Sequence, residues 1–249
     1  MNKLFKRLKH LLFPPRCIIC KEYLKPDTAI LFCSDCLKRL PYLPAEHCPV
    51  CGRVTPSGAA LCFDCHNHRP AFRSHRSIVF YTKEIRQAIL LFKFYHKRHY
   101  AIPMGSLMSS YLSQGYDLIT AVPISKRRYR ERGYNQSRLL AEQIERLRGI
   151  PYAETLKKIK NTPPQSKLNH RKRQENIKNA FSAIQPETLV GKRILLIDDI
   201  CTTGATINEC ARVLKKAGAA YVDALTFAMA DKRIKQIDGT QPGEEGAAL

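Results

Sequence analysis

ILLIDDICTTGAT, residues 194–206, couples four apolar residues to two adjacent aspartates and then to a loop of threonine, glycine and alanine. The apolar run reads as a buried strand of a parallel sheet. Behind the loop, TINECARVLKKAG (206–218) reads as a helix closed by Gly218. In an open parallel sheet, ligands collect at the carboxyl ends of the strands, where Asp198 and Asp199 fall. The loop Cys201-Thr202-Thr203-Gly204-Ala205-Thr206 enters a helix N-terminus, whose N–H groups and positive dipole end suit a phosphate. Gly204 permits close backbone approach, and Thr202, Thr203 and Thr206 add hydroxyl donors. Carboxylates accept hydrogen bonds from vicinal hydroxyls, and two acids at a buried strand end are costly without a partner. A phosphate beside a diol describes a ribose 5-phosphate.

Outward from this stretch, strand and helix signals alternate from Ser77 onward. SIVFY (77–81), DLITAVP (117–123), GKRILLIDD (191–199) and YVDALTFAMA (221–230) read as strands, with a further short strand near ETLKKI (154–159). KEIRQAILLFKF (83–94) and NQSRLLAEQIERLRG (135–149) have apolar residues at helical spacing. The alternation predicts an α/β domain over 71–230, a parallel sheet with helices on both faces. A long polar stretch, KNTPPQSKLNHRKRQEN (160–176), interrupts it. Loops of that length inside compact domains are functional or disordered. The tail 231–249 has a composition expected of a disordered segment.

Residues 14–70 are a different text. Eight of the ten cysteines form four C-x-x-C pairs: Cys17/Cys20, Cys33/Cys36, Cys48/Cys51 and Cys62/Cys65, separated by 12, 11 and 10 residues. Two such turns complete a tetrahedral Zn²⁺ site, so the spacing predicts two structural zinc ions. Closure entropy favours sequential pairing over crossed pairing by only about a kcal/mol. The segment has few apolar runs and is expected to need metal to fold. His66 and His68 follow the last pair, in an exit linker, but eight thiols already supply two full ligand sets.

The chain has 249 residues, with 42 Lys+Arg against 21 Asp+Glu, a formal charge of +21. That excess favours polyanions: nucleic acid, anionic membrane or phosphorylated small molecules. MNKLFKRLKHLLF (1–13) reads as a short basic amphipathic helix, either packed on the protein or lying on a membrane surface. Its apolar run is too short for a signal peptide or a span, and no other segment reaches transmembrane length, so a cytoplasmic location is expected.

ILLIDDICTTGAT resembles the phosphoribosyl pyrophosphate (PRPP) motif of type I phosphoribosyltransferases. VPISKRRYRERGYNQSRLLA (122–141) resembles the ComF family's Val-Pro, basic run and Arg-Gly-aromatic-Asn-Gln. TPPQSKLNHRKRQENIKNAF (162–181) resembles its Thr-x-x-Gln-x-x-Leu, Arg-x-x-Asn and Ala-Phe. The cysteine-rich module before such a domain is also that family's layout. The resemblance spans about Cys17 to Ala228, and departs at Ser125, where many relatives place histidine, and at Lys157/Lys158, near a common arginine.

It implies a type I phosphoribosyltransferase-like parallel sheet flanked by helices, with a small N-terminal double zinc-ribbon module. Residues 198–206 would hold PRPP or ribose 5-phosphate. A basic loop, Ser125, Lys126, Arg127, Arg128, Arg130 and Arg132, would meet the pyrophosphate with Mg²⁺. Residues 160–176 would be a lid, with Gln165 and the cations Lys167, Arg171, Lys172 and Arg173 also suited to nucleic-acid phosphates. Tyr129 and Tyr134 could stack on bases, or Tyr134 could pack beside the phosphate site. Two functions stay open: handling of single-stranded DNA in competence, beside a competence helicase or DNA-processing proteins, and phosphoribosyl transfer from PRPP. There is no glutaminase domain, and residue 2 is Asn2, so a glutamine-dependent amidotransferase is disfavoured.

Overall fold

The computed structural model describes residues 14–25, 31–55, 61–112, 115–160 and 177–230. The basic segment 1–13, the polar stretch from 161 to 176 and the tail 231–249 lie outside them, so the readings made for those segments, the lid among them, are not addressed structurally.

The sheet is built from β1 (Ser74–Phe80), β2 (Leu118–Ala121), β5 (Arg193–Cys201) and β6 (Tyr221–Met229). Among the described residues these strands lie in the order β1-β6-β5-β2, all neighbours parallel. β5 and β6 are central, which is why they read as nearly unbroken apolar runs: Ile194–Ile197 and Val222–Met229 are buried. Beyond β2 the chain adds one bridge, Ile119 to Tyr152, with Ile119 N–H donating to Pro151 and Ala153 N–H to Ile119.

The short strand expected near 154–159 exists as β3 (Leu156–Lys158) but does not extend this sheet. It pairs antiparallel with β4 (Phe181–Ala183) as a separate ribbon. Two helices pack on one face, α4 (Ala101–Ser109) and α6 (Gln136–Arg148). With α3 (Lys83–Phe94) they share a core that includes Ile89, Phe92, Met104, Leu140, Ile144, Leu195 and Ile197. α7 (Ala205–Lys216) and the β3–β4 ribbon cover the other face, where Ile194 and Leu196 meet Cys210, Leu214 and Phe181.

The cysteine-rich segment is not self-contained. Ile18, Phe32 and Leu40 join the first core, whereas Cys48, Val50 and Cys65 join the second. Between the two cysteine clusters the chain runs along the outer edge of β1: Leu43 N–H donates to Ile78, and Phe80 N–H to Pro41. The short helices α1 (Ser34–Arg39) and α2 (Phe63–Asn67) each begin at a cysteine, Cys33 and Cys62.

The basic stretch 124–132, read as a loop, is mostly a helix. α5 (Lys126–Arg132) is capped by Ser125, whose Oγ accepts from Arg128 N–H at 3.3 Å, and is laced by an Arg127–Glu131 pair one turn apart. Among the described residues, no helix is long and apolar enough to cross a membrane.

Candidate functional site: an acid pair, a phosphate loop and two four-cysteine clusters

β5 ends with Asp198 and Asp199 in the strand itself, one turn of loop before α7. Asp199 is buried, 6% exposed, and Lys93 Nζ at the end of α3 lies 2.9 Å from its Oδ2. Burial acts to raise this carboxyl, but the Lys93 ammonium outweighs burial and holds it below the usual carboxylate range. Asp198 Oδ1 accepts from Ser137 Oγ at 2.7 Å and from Asp199 N–H at 2.9 Å. Burial, and then the charge of Asp199, push Asp198 up to about 7. The strand pleat sends the two side chains toward different faces: Asp199 follows Leu195 and Ile197, Asp198 follows Ile194 and Leu196.

The loop behaves as its composition requires. Gly204 sits at φ 79, a left-handed conformation that disfavours any side chain, and α7 starts at Ala205. Thr203 Oγ1 accepts from Ala205 N–H at 3.3 Å, while Cys201 is buried beneath, its thiol pushed up to about 12 by burial. A buried thiol of that kind packs and does not react. The 12-residue α7 brings a positive dipole end to residues 203–206.

The basic residues divide. Arg127 is exposed and paired with Glu131; Lys126 and Arg130 are exposed. Arg132 is buried, donates to Gln136 Oε1 at 3.0 Å and lies 4.5 Å over the Phe94 ring. Arg128 faces Lys158 of β3, and Lys158 is lowered to about 8 by burial first and by Arg128 second, with Asp198 pulling the other way. Lys93 therefore acts on both acids, Arg132 on Asp199, and Lys158 feels both Arg128 and Asp198. Tyr134 is buried, and its hydroxyl donates to the Phe92 carbonyl. Tyr134 is thus packed against Phe92 in the core and not free to stack on bases, whereas Tyr129 is 52% exposed. Gln165, Lys167, Arg171, Lys172 and Arg173 lie outside the described residues.

Lys93 and Ser137 carried no signal of their own, whereas Asn135 and Gln136 are the Asn-Gln of the segment quoted above. Lys93 ends an amphipathic helix, where a cation reads as a dipole complement. Asn135 caps α6 by accepting from Ser137 N–H at 3.1 Å and donates to the Val122 carbonyl at 3.0 Å, and the cap presents Ser137 to Asp198. The YNQS segment (134–137) is therefore the mount of the acid pair. Beside it, Gln136 Nε2 is buried with no hydrogen-bond partner among the described residues.

The cysteines gather as two sets, Cys17/Cys20/Cys33/Cys36 and Cys48/Cys51/Cys62/Cys65, with all four sulfurs of a set within 4.8 Å of one another. The sequential pairing is the one found; neither His66 nor His68 joins a set. Cys20–Cys33 and Cys51–Cys62 sulfurs are 3.7 and 3.5 Å apart. A tetrahedral ion with Zn–S of about 2.3 Å requires sulfurs roughly 3.8 Å apart, so the donor sets fit zinc. Backbone N–H groups aim at the sulfurs, as Cys33 N–H does at Cys17 (3.4 Å) and Cys36 N–H at Cys33 (3.3 Å). Burial would raise Cys17 and Cys48, yet such donors bring each down to about 7, toward the thiolate a metal takes.

Two family models match this division, a double zinc ribbon domain over residues 8–66 and a phosphoribosyl transferase domain over 130–241. The fold and site therefore define a phosphoribosyltransferase-type domain joined to a double zinc ribbon. Competence protein F of Haemophilus influenzae is 30% identical over 225 residues, covering 86% of this chain and 97% of that protein. Competence protein ComFC of Bacillus subtilis is 32% identical over 215 residues, 82% of this chain and 85% of that one. The DNA utilization protein YhgH of Salmonella typhimurium is 30% identical over 184 residues, 70% and 80% respectively. The chain belongs to the ComF family.

Proposed function

We propose that the domain binds PRPP, or a ribose 5-phosphate related to it, and that the protein handles single-stranded DNA during uptake and use of external DNA. The observation that carries the ligand reading is the Asp198–Ser137 contact at the mouth of the phosphate loop. It leaves an oriented acceptor beside a helix N-terminus, with the Lys158 ammonium close enough to feel it. Mg²⁺ arriving with a pyrophosphate would be held by Asp198, the less buried acid. Zn²⁺ in the cysteine clusters supplies folding energy and no chemistry.

The DNA reading draws on the relatives, two of them competence proteins and one a DNA utilization protein. It draws also on the +21 charge and on a surface of this chain. Phe94, Tyr95 and Tyr129 are 50%, 62% and 52% exposed, and Lys97, Arg98 and Arg130 lie close to them in sequence. Exposed aromatic faces among cations suit sequence-tolerant stacking of bases on a tracked backbone.

Phosphoribosyl transfer is the second reading. It is favoured by Asp198, a carboxyl raised to about 7 beside the ribose position. A nucleophile would displace pyrophosphate from C1, and the ionised acids would stabilise the oxocarbenium-like transition state. Calorimetry with PRPP and ribose 5-phosphate, and pyrophosphate release with each common nucleobase, separate the readings. Binding without release supports a ligand site serving DNA handling, release supports the enzyme, and no binding refutes both ligand readings.

A further inference from the structure

The peptide joining Thr203 to Gly204 is held from the far side of the phosphate loop. Arg53 Nη2 donates to the Thr203 carbonyl at 3.2 Å, and Arg53 Nη1 lies 2.6 Å from Asp64 Oδ2. Arg53 follows Cys51 by two residues, and Asp64 lies between Cys62 and Cys65, so the pair is carried by both cysteine turns of the second cluster. That cluster is fixed to the sheet: His75 N–H donates to the Val50 carbonyl at 2.7 Å, and His75 Nδ1 lies 2.9 Å from the Cys51 carbonyl.

A trans peptide is planar, and its C=O and N–H point in opposite directions. A guanidinium holding the Thr203 carbonyl on the ribbon side therefore fixes which way this peptide faces, with the Gly204 N–H lying toward the buried Cys201 thiol. Gly204, at φ 79, lacks the side chain that would otherwise narrow the choice. Cys201 beneath the loop is the second partner of this peptide. On the ribbon side the loop borders a cleft of about 640 Å³, lined by Arg53, Arg69, Phe72, Lys178, Asn208 and Arg212 among others.

We propose that Arg53 is a positioning residue that presets the phosphate loop, and that the second four-cysteine ribbon acts through it as a brace for the ligand site. The proposal rests on the ribose-phosphate reading of that loop. The first ribbon makes no such link among the described residues; its Lys21 instead reaches Tyr100 Oη at 3.1 Å.

The test uses the full chain and two readouts: calorimetric titration with ribose 5-phosphate, and amide hydrogen exchange over residues 202–206. Arg53→Ala is expected to weaken ribose 5-phosphate binding about ten-fold, the loss of one charge-assisted contact, and to speed exchange in the loop. Zinc content and melting temperature should be unchanged. Arg53→Lys, which keeps a cationic donor without the fork, should restore part of the affinity. Asp64→Asn, an exposed change, should reproduce a weaker form of the Ala effect, and it carries the test if Arg53→Ala loses zinc. Lys21→Ala, at the first ribbon, should leave both readouts unchanged. Unaltered exchange in both Arg53→Ala and Asp64→Asn would overturn the brace. If the parent chain does not bind ribose 5-phosphate, the ligand reading fails by itself, and loop exchange alone still decides the brace.

Discussion

Lys93 Nζ and Asp199 Oδ2 meet 2.9 Å apart at the end of β5, with side chains only 15% and 8% exposed. This buried pair gives the two aspartates different work. Asp199 is held ionised by Lys93, whereas Asp198, on which Lys93 acts only weakly against burial and the Asp199 charge, is raised. Breaking a buried pair strands a charge, so Lys93→Met should cost roughly 3–5 kcal/mol of stability. Combining it with Asp199→Asn should recover most of that loss, because the stranded charge is gone. Urea denaturation of the four variants of the cycle reads this directly. An unshifted midpoint for Lys93→Met would mean that the pair does not organise the site.

Asp198 should make the native state sensitive to pH in a direction opposite to that of an ordinary ion-paired acid. Its folded value of about 7 lies above the usual carboxylate value, so between the two the native state binds more protons than the unfolded state. Stability from this group is full at low pH and falls as pH rises toward 7. Asp198→Asn, which cannot ionise, should raise the melting temperature at pH 8 by about 3–6 °C, from roughly 1–2 kcal/mol. The gain should shrink toward pH 5. Binding of ribose 5-phosphate at pH 8 should weaken in the same variant. A stabilising substitution that damages binding is what a functional acid predicts. A variant less stable at pH 8 than its parent would contradict the raised value.

How much of this was legible beforehand follows from the range of the interactions. β5, the loop and α7 were readable because strand, acids, glycine and helix are contiguous in 194–218, and local chemistry fixes them. α4 carries no helical signal: Pro103 and Gly105 look like breakers, and its burial over most of its surface removes the polar face that gives periodicity. Gly105 is there for packing, since a Cβ would come within 2.8 Å of Gln143 on α6. KRRYRER has no apolar stripe and so reads as a loop; the Ser125 cap and Arg127–Glu131 pair build α5 instead. Lys93, Ser137 and Arg53 could not be named from pattern, because each acquires its partner only when distant segments fold together.

The two cysteine sets should bind two Zn²⁺ per chain, one in each. Without metal, four sulfurs within 4.8 Å have no partner strong enough to hold them as thiolates, and the C-x-x-C turns should open. Metal analysis of the purified chain should return two equivalents, and chelation should abolish protection of amides around Cys17–Cys36 and Cys48–Cys65. Because the ribbons contribute Ile18, Phe32 and Val50 to the shared cores, chelation should also lower the melting temperature of the whole protein. One equivalent or none, or a melting temperature indifferent to chelator, would refute the paired-ribbon account.

Single-stranded DNA should bind in a salt-dependent and weakly sequence-selective way, through two separable contributions. Cations release counterions, with a slope of about −0.7 in log K against log salt for each phosphate contacted. Arg171→Ala, Lys172→Ala and Arg173→Ala together should lower both the affinity and that slope if the HRKR run touches the backbone. Aromatic stacking adds about 1–3 kcal/mol per base and is nearly independent of salt. Phe94→Ala and Tyr95→Ala should therefore weaken binding while leaving the slope unchanged, and Tyr129→Ala should do likewise. Tyr134→Phe should leave the slope unchanged too and should cost stability instead, since the Tyr134 hydroxyl is committed to the Phe92 carbonyl inside the core. Fluorescence anisotropy with a labelled oligonucleotide at several salt concentrations separates slope from intercept. If the aromatic variants bend the slope, or if the parent chain fails to bind even at low salt, the exposed Phe94, Tyr95 and Tyr129 do not stack on bases. The positive charge then serves the phosphorylated ligand alone.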